Sequence, residues 1–149
     1  MISLDSALSD VTKLGFDTSP FIYFIERVPA YLDIVREIIH RVDEGTVEAY
    51  TSTITITEVL VLPLRTGNAR LQREYRDLLV NGRNLRFVTV NAHVAEGAAE
   101  LRARYNMRTP GALQIASSIE SKCEVFLTND LALKRVSEIR VLVLNELEL

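Results

Sequence analysis

Lys13-Leu14-Gly15-Phe16-Asp17-Thr18-Ser19-Pro20 is the stretch on which the fold turns. Lys13 to Asp17 reads as a short strand, and Thr18-Ser19 as the turn that stops it. Pro20 suits the first position of a helix, where its missing N–H would have had no partner anyway. A strand that passes at once into a helix predicts an alternating α/β chain, and the sequence on either side repeats the pattern.

A second helix is predicted from near Pro29, because Tyr31, Leu32, Val35, Ile38, Ile39 and Val42 recur at helical spacing and Gly45 is a natural stop. Val47 to Ser52 is a second strand, followed by a helix holding Glu58 that ends near Pro63 or Gly67. Asn68 caps the next helix, with Leu71, Tyr75, Leu78 and Leu79 on one face. Leu85 to Val90 is a third strand, and Asn91 caps a helix running to about Tyr105. Thr109-Pro110 opens another, with Leu113, Ile115, Ala116 and Ile119 as its buried candidates. Val125 to Thr128 and Val141 to Leu144 are the fourth and fifth strands. Short apolar strands separated by helices predict a three-layer α/β/α sandwich around a mainly parallel sheet of about five strands.

With 149 residues the chain suits one domain, residues 1–149, with a core of its own. Its 48% hydrophobic and 25% charged residues are globular composition, which excludes wholesale disorder. One cysteine, Cys123, excludes an internal disulfide and fits a reducing compartment. The amino terminus carries Asp5 and Asp10 and lacks a basic region, unlike a signal peptide. No apolar run approaches the roughly 20 residues that cross a bilayer. The expectation is a cytoplasmic protein with no membrane contact. The net charge of −3 is not that of a general nucleic-acid binder, yet it is compatible with an acidic metal pocket.

In parallel sheets, ligands bind outside the carboxyl ends of the strands, at a topological switch point. Asp17 ends the first strand, Asp130 follows the fourth, and Glu58 begins the helix after the second. Parallel strands would bring all three to one edge. Hard cations such as Mg²⁺ and Mn²⁺ prefer such oxygens, and two of them about 4 Å apart stabilise both oxygens of an in-line phosphodiester displacement. Each acid has a plainer reading. Asp17 and Asp130 could close turns or cap helices, and Glu58 could point outward. If buried in its apolar helix, Glu58 would need a metal or a basic partner.

Four segments resemble the PIN domain in order and spacing: Gly15-Phe16-Asp17-Thr18-Ser19-Pro20-Phe21-Ile22-Tyr23, Thr55-Ile56-Thr57-Glu58-Val59-Leu60, Arg108-Thr109-Pro110-Gly111-Ala112-Leu113-Gln114-Ile115-Ala116 and Phe126-Leu127-Thr128-Asn129-Asp130. The chain is most similar to the small prokaryotic PIN proteins that include VapC toxins. That resemblance implies a Mg²⁺- or Mn²⁺-dependent endoribonuclease, often a homodimer, held silent by an antitoxin. It makes Asp17, Glu58 and Asp130 metal ligands and has Thr128 position water or a phosphate. Where the family usually carries an aspartate after Thr-Pro, this chain has Gly111. An anion at that second helical position would favour the helix by about 0.3–1 kcal/mol. The glycine is therefore not there for stability, and slow or absent cleavage is expected.

Lys134 and Arg135, close behind Asp130, are the candidate RNA-phosphate contacts. The arginines at 65, 70, 73, 76, 83 and 86 could cradle an RNA backbone or an acidic partner segment, but read first as a solvated helix face with i,i+4 pairs Arg70–Glu74 and Arg73–Asp77. Glu26 could reach the metal site from the first short helix but reads first as an exposed helix acid, and Cys123 reads as a small hydrophobe. His40 and His93 lack metal-ligand spacing, Ser117-Ser118 sits within a helix, and no glycine-rich phosphate loop is present. Two further functions stand beside the nuclease: a silent PIN fold binding RNA or an antitoxin, which Gly111 favours, and a phosphotransfer protein with Asp17 as nucleophile. The last lacks an Asp-x-Asp pair, since Ser19 stands two residues on.

Overall fold

A computed structural model describes residues 1–149. A two-residue strand, β1 (Ile2–Ser3), leads into α1 (Leu4–Leu8), β2 (Lys13–Phe16), α2 (Ser19–Ile25) and α3 (Leu32–Asp43). Then come β3 (Glu48–Ser52), α4 (Ile54–Arg65), α5 (Ala69–Leu79), β4 (Leu85–Val88), α6 (Ala92–Tyr105) and α7 (Thr109–Glu120). β5 (Val125–Thr128), β6 (Arg140–Val143) and β7 (Leu147–Glu148) complete the chain, with 3₁₀ turns at Leu131–Arg135 and Leu144–Glu146.

Five strands form one wholly parallel sheet in the order β4-β3-β2-β5-β6, while β1 and β7 pair apart from it. β2 to β4 run outward in one direction and β5 to β6 in the other. The switch point therefore lies between β2 and β5, where Phe16 stands opposite Leu127. The Asp17 N–H donates to the Leu127 carbonyl at 2.9 Å, which carries the ladder one bond past the strand and draws Asp17 beside Thr128.

Side chains alternate across the sheet. Leu14, Phe16, Val125 and Leu127 face a core completed by α1, α2, α3 and α5. Phe126 faces a second core made by α6 and α7. All four residues of β5 are buried, as a strand covered on both faces requires. The sandwich is thus three-layered, as the alternation of apolar runs predicts. No helix is long and apolar enough to cross a membrane.

Gly15 fixes how closely α7 approaches β2. A Cβ there would stand 2.0 Å from Ser118 Oγ and 2.6 Å from Ser118 Cβ, so only a hydrogen fits between strand and helix. That closeness places the middle of α7 against the strand ends.

Several boundaries differ from the sequence expectation for local reasons. α4 runs through Pro63, giving up the hydrogen bond a proline cannot donate, and stops before Gly67 at φ +66°. α7 begins at Thr109 with Arg108 as its cap, which makes Gly111 the third helical residue rather than the second. Asn68 and Asn91 do cap their helices, accepting from the N–H groups of Leu71 at 3.1 Å and Val94 at 2.9 Å. The short α1 and the β1–β7 pair were not expected.

Candidate active site at the switch point

A cleft of about 460 Å³ opens at the carboxyl ends of β2 and β5. Asp17, Glu58 and Asp130 line it, together with Gly111, Arg108 and Arg135. The sheet order delivers Asp17 and Asp130 from adjacent strands, and α4 swings Glu58 in from the far side of β2.

Asp17 is partly buried and held by two donors. The Thr18 N–H donates to Oδ1 at 2.8 Å, and the Thr128 hydroxyl donates to Oδ2 at 2.7 Å. Burial pushes the Asp17 carboxyl above the usual carboxylate range; these two hydrogen bonds oppose the rise, and the Glu58 and Asp130 charges add to it. Thr128 is fully buried and also accepts from the Asp130 N–H at 3.0 Å, so its proton is free for Asp17.

Asp130 is exposed, and its Oδ1 accepts from the Ala132 N–H at 3.0 Å, capping the 3₁₀ turn. The capping role and a place in the cleft are both realised. The Asn129 side chain braces this turn, donating to Tyr23 Oη at 3.1 Å and accepting from the Asn145 N–H at 2.9 Å.

Glu58 is not buried, contrary to what its apolar surroundings suggest. The outward face of α4 is itself apolar, with Val61, Leu62 and Leu64 each about half exposed, so hydropathy misleads about burial here. Glu58 nevertheless has a fixed seat: the Thr18 hydroxyl donates to its Oε1 at 2.7 Å. Thr18 thus bridges two acids, its N–H to Asp17 and its O–H to Glu58. Gln114, fully buried on α7, lies behind this bridge. Thr18, Gln114 and Arg108 do not stand out individually as site residues in the sequence. The one signal for Gln114 was an amide set among Ala112, Ile115 and Ala116.

None of the ion pairs in the chain engages Asp17, Glu58 or Asp130. Three carboxylates sharing a cleft, none of them ion-paired to the Arg108 or Arg135 that also line it, repel one another and favour a bound cation. No three Asp, Glu, His or Cys side chains converge into a ready-made cage. The donor set therefore suits a hydrated hard cation that keeps several waters rather than one enclosed by protein ligands alone.

Lys134 pairs with Glu146 at 2.9 Å and does not line the cleft, because the 3₁₀ turn throws it aside; Arg135 does line it. The i,i+4 pairs expected on α5 do not form, and Asp77 instead accepts from Asn81 Nδ2 at 3.3 Å. Glu26 accepts from the Tyr75 hydroxyl and takes no part in the cleft. The Cys123 thiol is pushed up to about 12 by burial, which leaves it inert at neutral pH.

One consequence concerns Asp17 alone. Its pKa is higher folded than unfolded, so its ionised form costs stability at neutral pH, and that cost fades as pH falls through the folded pKa. Asp17→Asn should raise the thermal unfolding midpoint at pH 7 in the presence of a chelator, with the advantage shrinking in acid. A lower midpoint at pH 7 would contradict this.

The fold is shared with solved toxin–antitoxin proteins. VapBC2 from Rickettsia felis, solved bound to a DNA fragment from its promoter, superposes with a TM-score of 0.66 at 14% identity, over 89% of this chain and 98% of that one. A toxin–antitoxin complex from Klebsiella pneumoniae gives 0.66 at 18% identity with the same coverage. DNA-bound VapBC from Salmonella typhimurium gives 0.58 at 23% identity, again over 89% and 98%. No curated protein matches the chain by sequence. The PIN domain model matches residues 16–139, a span that takes in Asp17, Glu58, Gly111, Thr128 and Asp130. Since that span is most of the chain and contains every acid of the cleft, the chain belongs to the PIN domain family.

Proposed function

We propose that this protein is a divalent-metal-dependent endoribonuclease built as one domain over residues 1–149, the toxin of a toxin–antitoxin pair, weakened by Gly111. The observation that carries the reading is a set of three carboxylates, unpaired with any base, at the switch point of a parallel sheet. Family membership supports nuclease chemistry, and the fold shared with VapBC complexes supports an antitoxin partner. A homodimer and a cytoplasmic setting accompany that reading.

In this account Asp17, Glu58 and Asp130 hold Mg²⁺ or Mn²⁺, and such an ion, when bound, supplies charge neutralisation and an acidified water for attack on a phosphodiester. The chain's own contribution is placement. Thr128 keeps Asp17 turned into the cleft, Thr18 holds Asp17 and Glu58 side by side, and Arg135 offers the RNA backbone a bidentate phosphate contact. Lys134, tied to Glu146, contributes only if that surface pair opens, which costs little.

A second reading is favoured by one observation: the first turn of α7 carries no acid at all. A PIN fold lacking one carboxylate could bind RNA or an antitoxin without cutting. The deciding assay is cleavage of single-stranded RNA in Mn²⁺ by the chain and by Glu58→Gln. Slow cleavage that Glu58→Gln abolishes is the expected result. Cleavage indifferent to Glu58→Gln would remove Glu58 from the site, and metal binding with no cleavage by either protein would favour the binding module.

A further inference from the structure

A glutamine buried among apolar residues needs all its hydrogen bonds met. Gln114 is 1% exposed, and its partners form a directed chain. Its Nε2 donates to Thr55 Oγ1 at 2.8 Å and to Thr18 Oγ1 at 3.0 Å, which uses both amide protons and leaves its 3.5 Å approach to Glu58 Oε1 as the longest and weakest of the three contacts. Its Oε1 faces the Ser52 N–H at 3.4 Å.

Each threonine hydroxyl has one proton to give. Thr51 Oγ1 gives its own to the Phe16 carbonyl at 2.9 Å, so in the 2.8 Å contact with Thr55 it must accept. Thr55 therefore donates to Thr51 and accepts from Gln114. By the same count Thr18 accepts from Gln114 and has its proton left for Glu58 Oε1 at 2.7 Å. Every donor is spoken for. The amide of Gln114 sets the direction of both branches, and one branch ends on a carboxylate of the cleft.

We propose that Gln114 is a positioning residue for the metal site: by donating to Thr18 it turns the Thr18 hydroxyl onto Glu58, and so holds an exposed carboxylate beside the partly buried Asp17. Thr18 without that donor is free to rotate, and Glu58 then keeps only the mobility of a surface side chain. The inference rests on the metal-site reading above. It differs from a packing role because it acts through one hydroxyl and one carboxylate oxygen.

The test uses the full chain stripped with chelator, with Mn²⁺ titrated by calorimetry into the parent, Gln114→Met, Thr18→Val, Thr18→Ser, Gln114→Met/Thr18→Val and Asp17→Asn. Groups that orient metal ligands commonly change affinity by about 10- to 100-fold. Gln114→Met and Thr18→Val should each weaken Mn²⁺ binding at least about tenfold. The double variant should be no worse than Thr18→Val, and Thr18→Ser should bind like the parent. Additive losses, or parent-like binding by Gln114→Met, would overturn the proposal. Should Gln114→Met not fold, parent-like binding by Thr18→Val would do so equally.

The ¹³C signals of the Glu58 side chain provide an arm independent of metal. They should shift in the same direction in Gln114→Met and Thr18→Val, whereas unchanged signals would overturn the proposal. If the parent and Asp17→Asn take up Mn²⁺ alike, the metal reading falls by itself and these carbon signals decide the role of Gln114.

Discussion

Gly111→Asp should speed Mn²⁺-dependent RNA cleavage by about a hundredfold or more, the scale on which single preorganised electrostatic groups act in catalysis. The substitution is sterically open. A Cβ at Gly111 would meet only Met107 Cε at 3.8 Å and Leu133 Cδ2 at 4.0 Å, which is ordinary contact. The new carboxylate would enter the cleft already lined by Asp17, Glu58 and Asp130. It would also stand at the third residue of α7, in a first turn that has no acid to meet the helix dipole.

That dipole contact, worth about 0.3–1 kcal/mol, opposes the repulsion of a fourth negative charge in the cleft. Thermal stability without metal should consequently change little, while metal should stabilise Gly111→Asp more than the parent. The measurement is initial-rate cleavage of one RNA by both proteins across Mn²⁺ concentrations. Equal rates would mean that the head of α7 takes no part in the chemistry.

Gly15→Ala should cost about 3 kcal/mol or more of folding stability, at the upper end of what overpacking a close-packed interior does. The added methyl would lie 2.0 Å from Ser118 Oγ and 2.6 Å from Ser118 Cβ. Rotating the serine relieves the first contact, but the second moves only if α7 shifts off β2. Because Gln114 rides on the same helix, the shift would also pull its amide from Thr18 and Thr55. Urea unfolding of Gly15→Ala, Ser118→Gly and the pair tests this. The pair should recover most of the loss, less about 1 kcal/mol for glycine inside a helix. A Gly15→Ala protein as stable as the parent would show that strand and helix are not held so close.

The acids were legible in the sequence because the rule that locates them is topological. Once β2 and β5 are recognised as short buried strands, Asp17 and Asp130 must emerge at the same edge. The place of Glu58 on the cleft was legible but not its burial, since α4 shows an apolar face to solvent at Val61, Leu62 and Leu64. The chain of Gln114, Thr18, Thr55 and Thr51 was beyond reach, because its members come from four elements and their pairing depends on how closely α7 lies on the sheet. Lys134 illustrates the same limit. It is near Asp130 in sequence, yet the 3₁₀ turn sends it to Glu146. β1 and β7 were invisible because each has only two residues and its partner lies at the other end of the chain.

Whether Asp17, Glu58 and Asp130 form a divalent-cation site is decided by a calorimetric Mn²⁺ titration of the chelator-stripped chain against Asp17→Asn. Saturable binding by the parent should weaken at least about tenfold in Asp17→Asn, a variant that melts higher than the parent without metal. Equal Mn²⁺ affinity in the two proteins would contradict such a site.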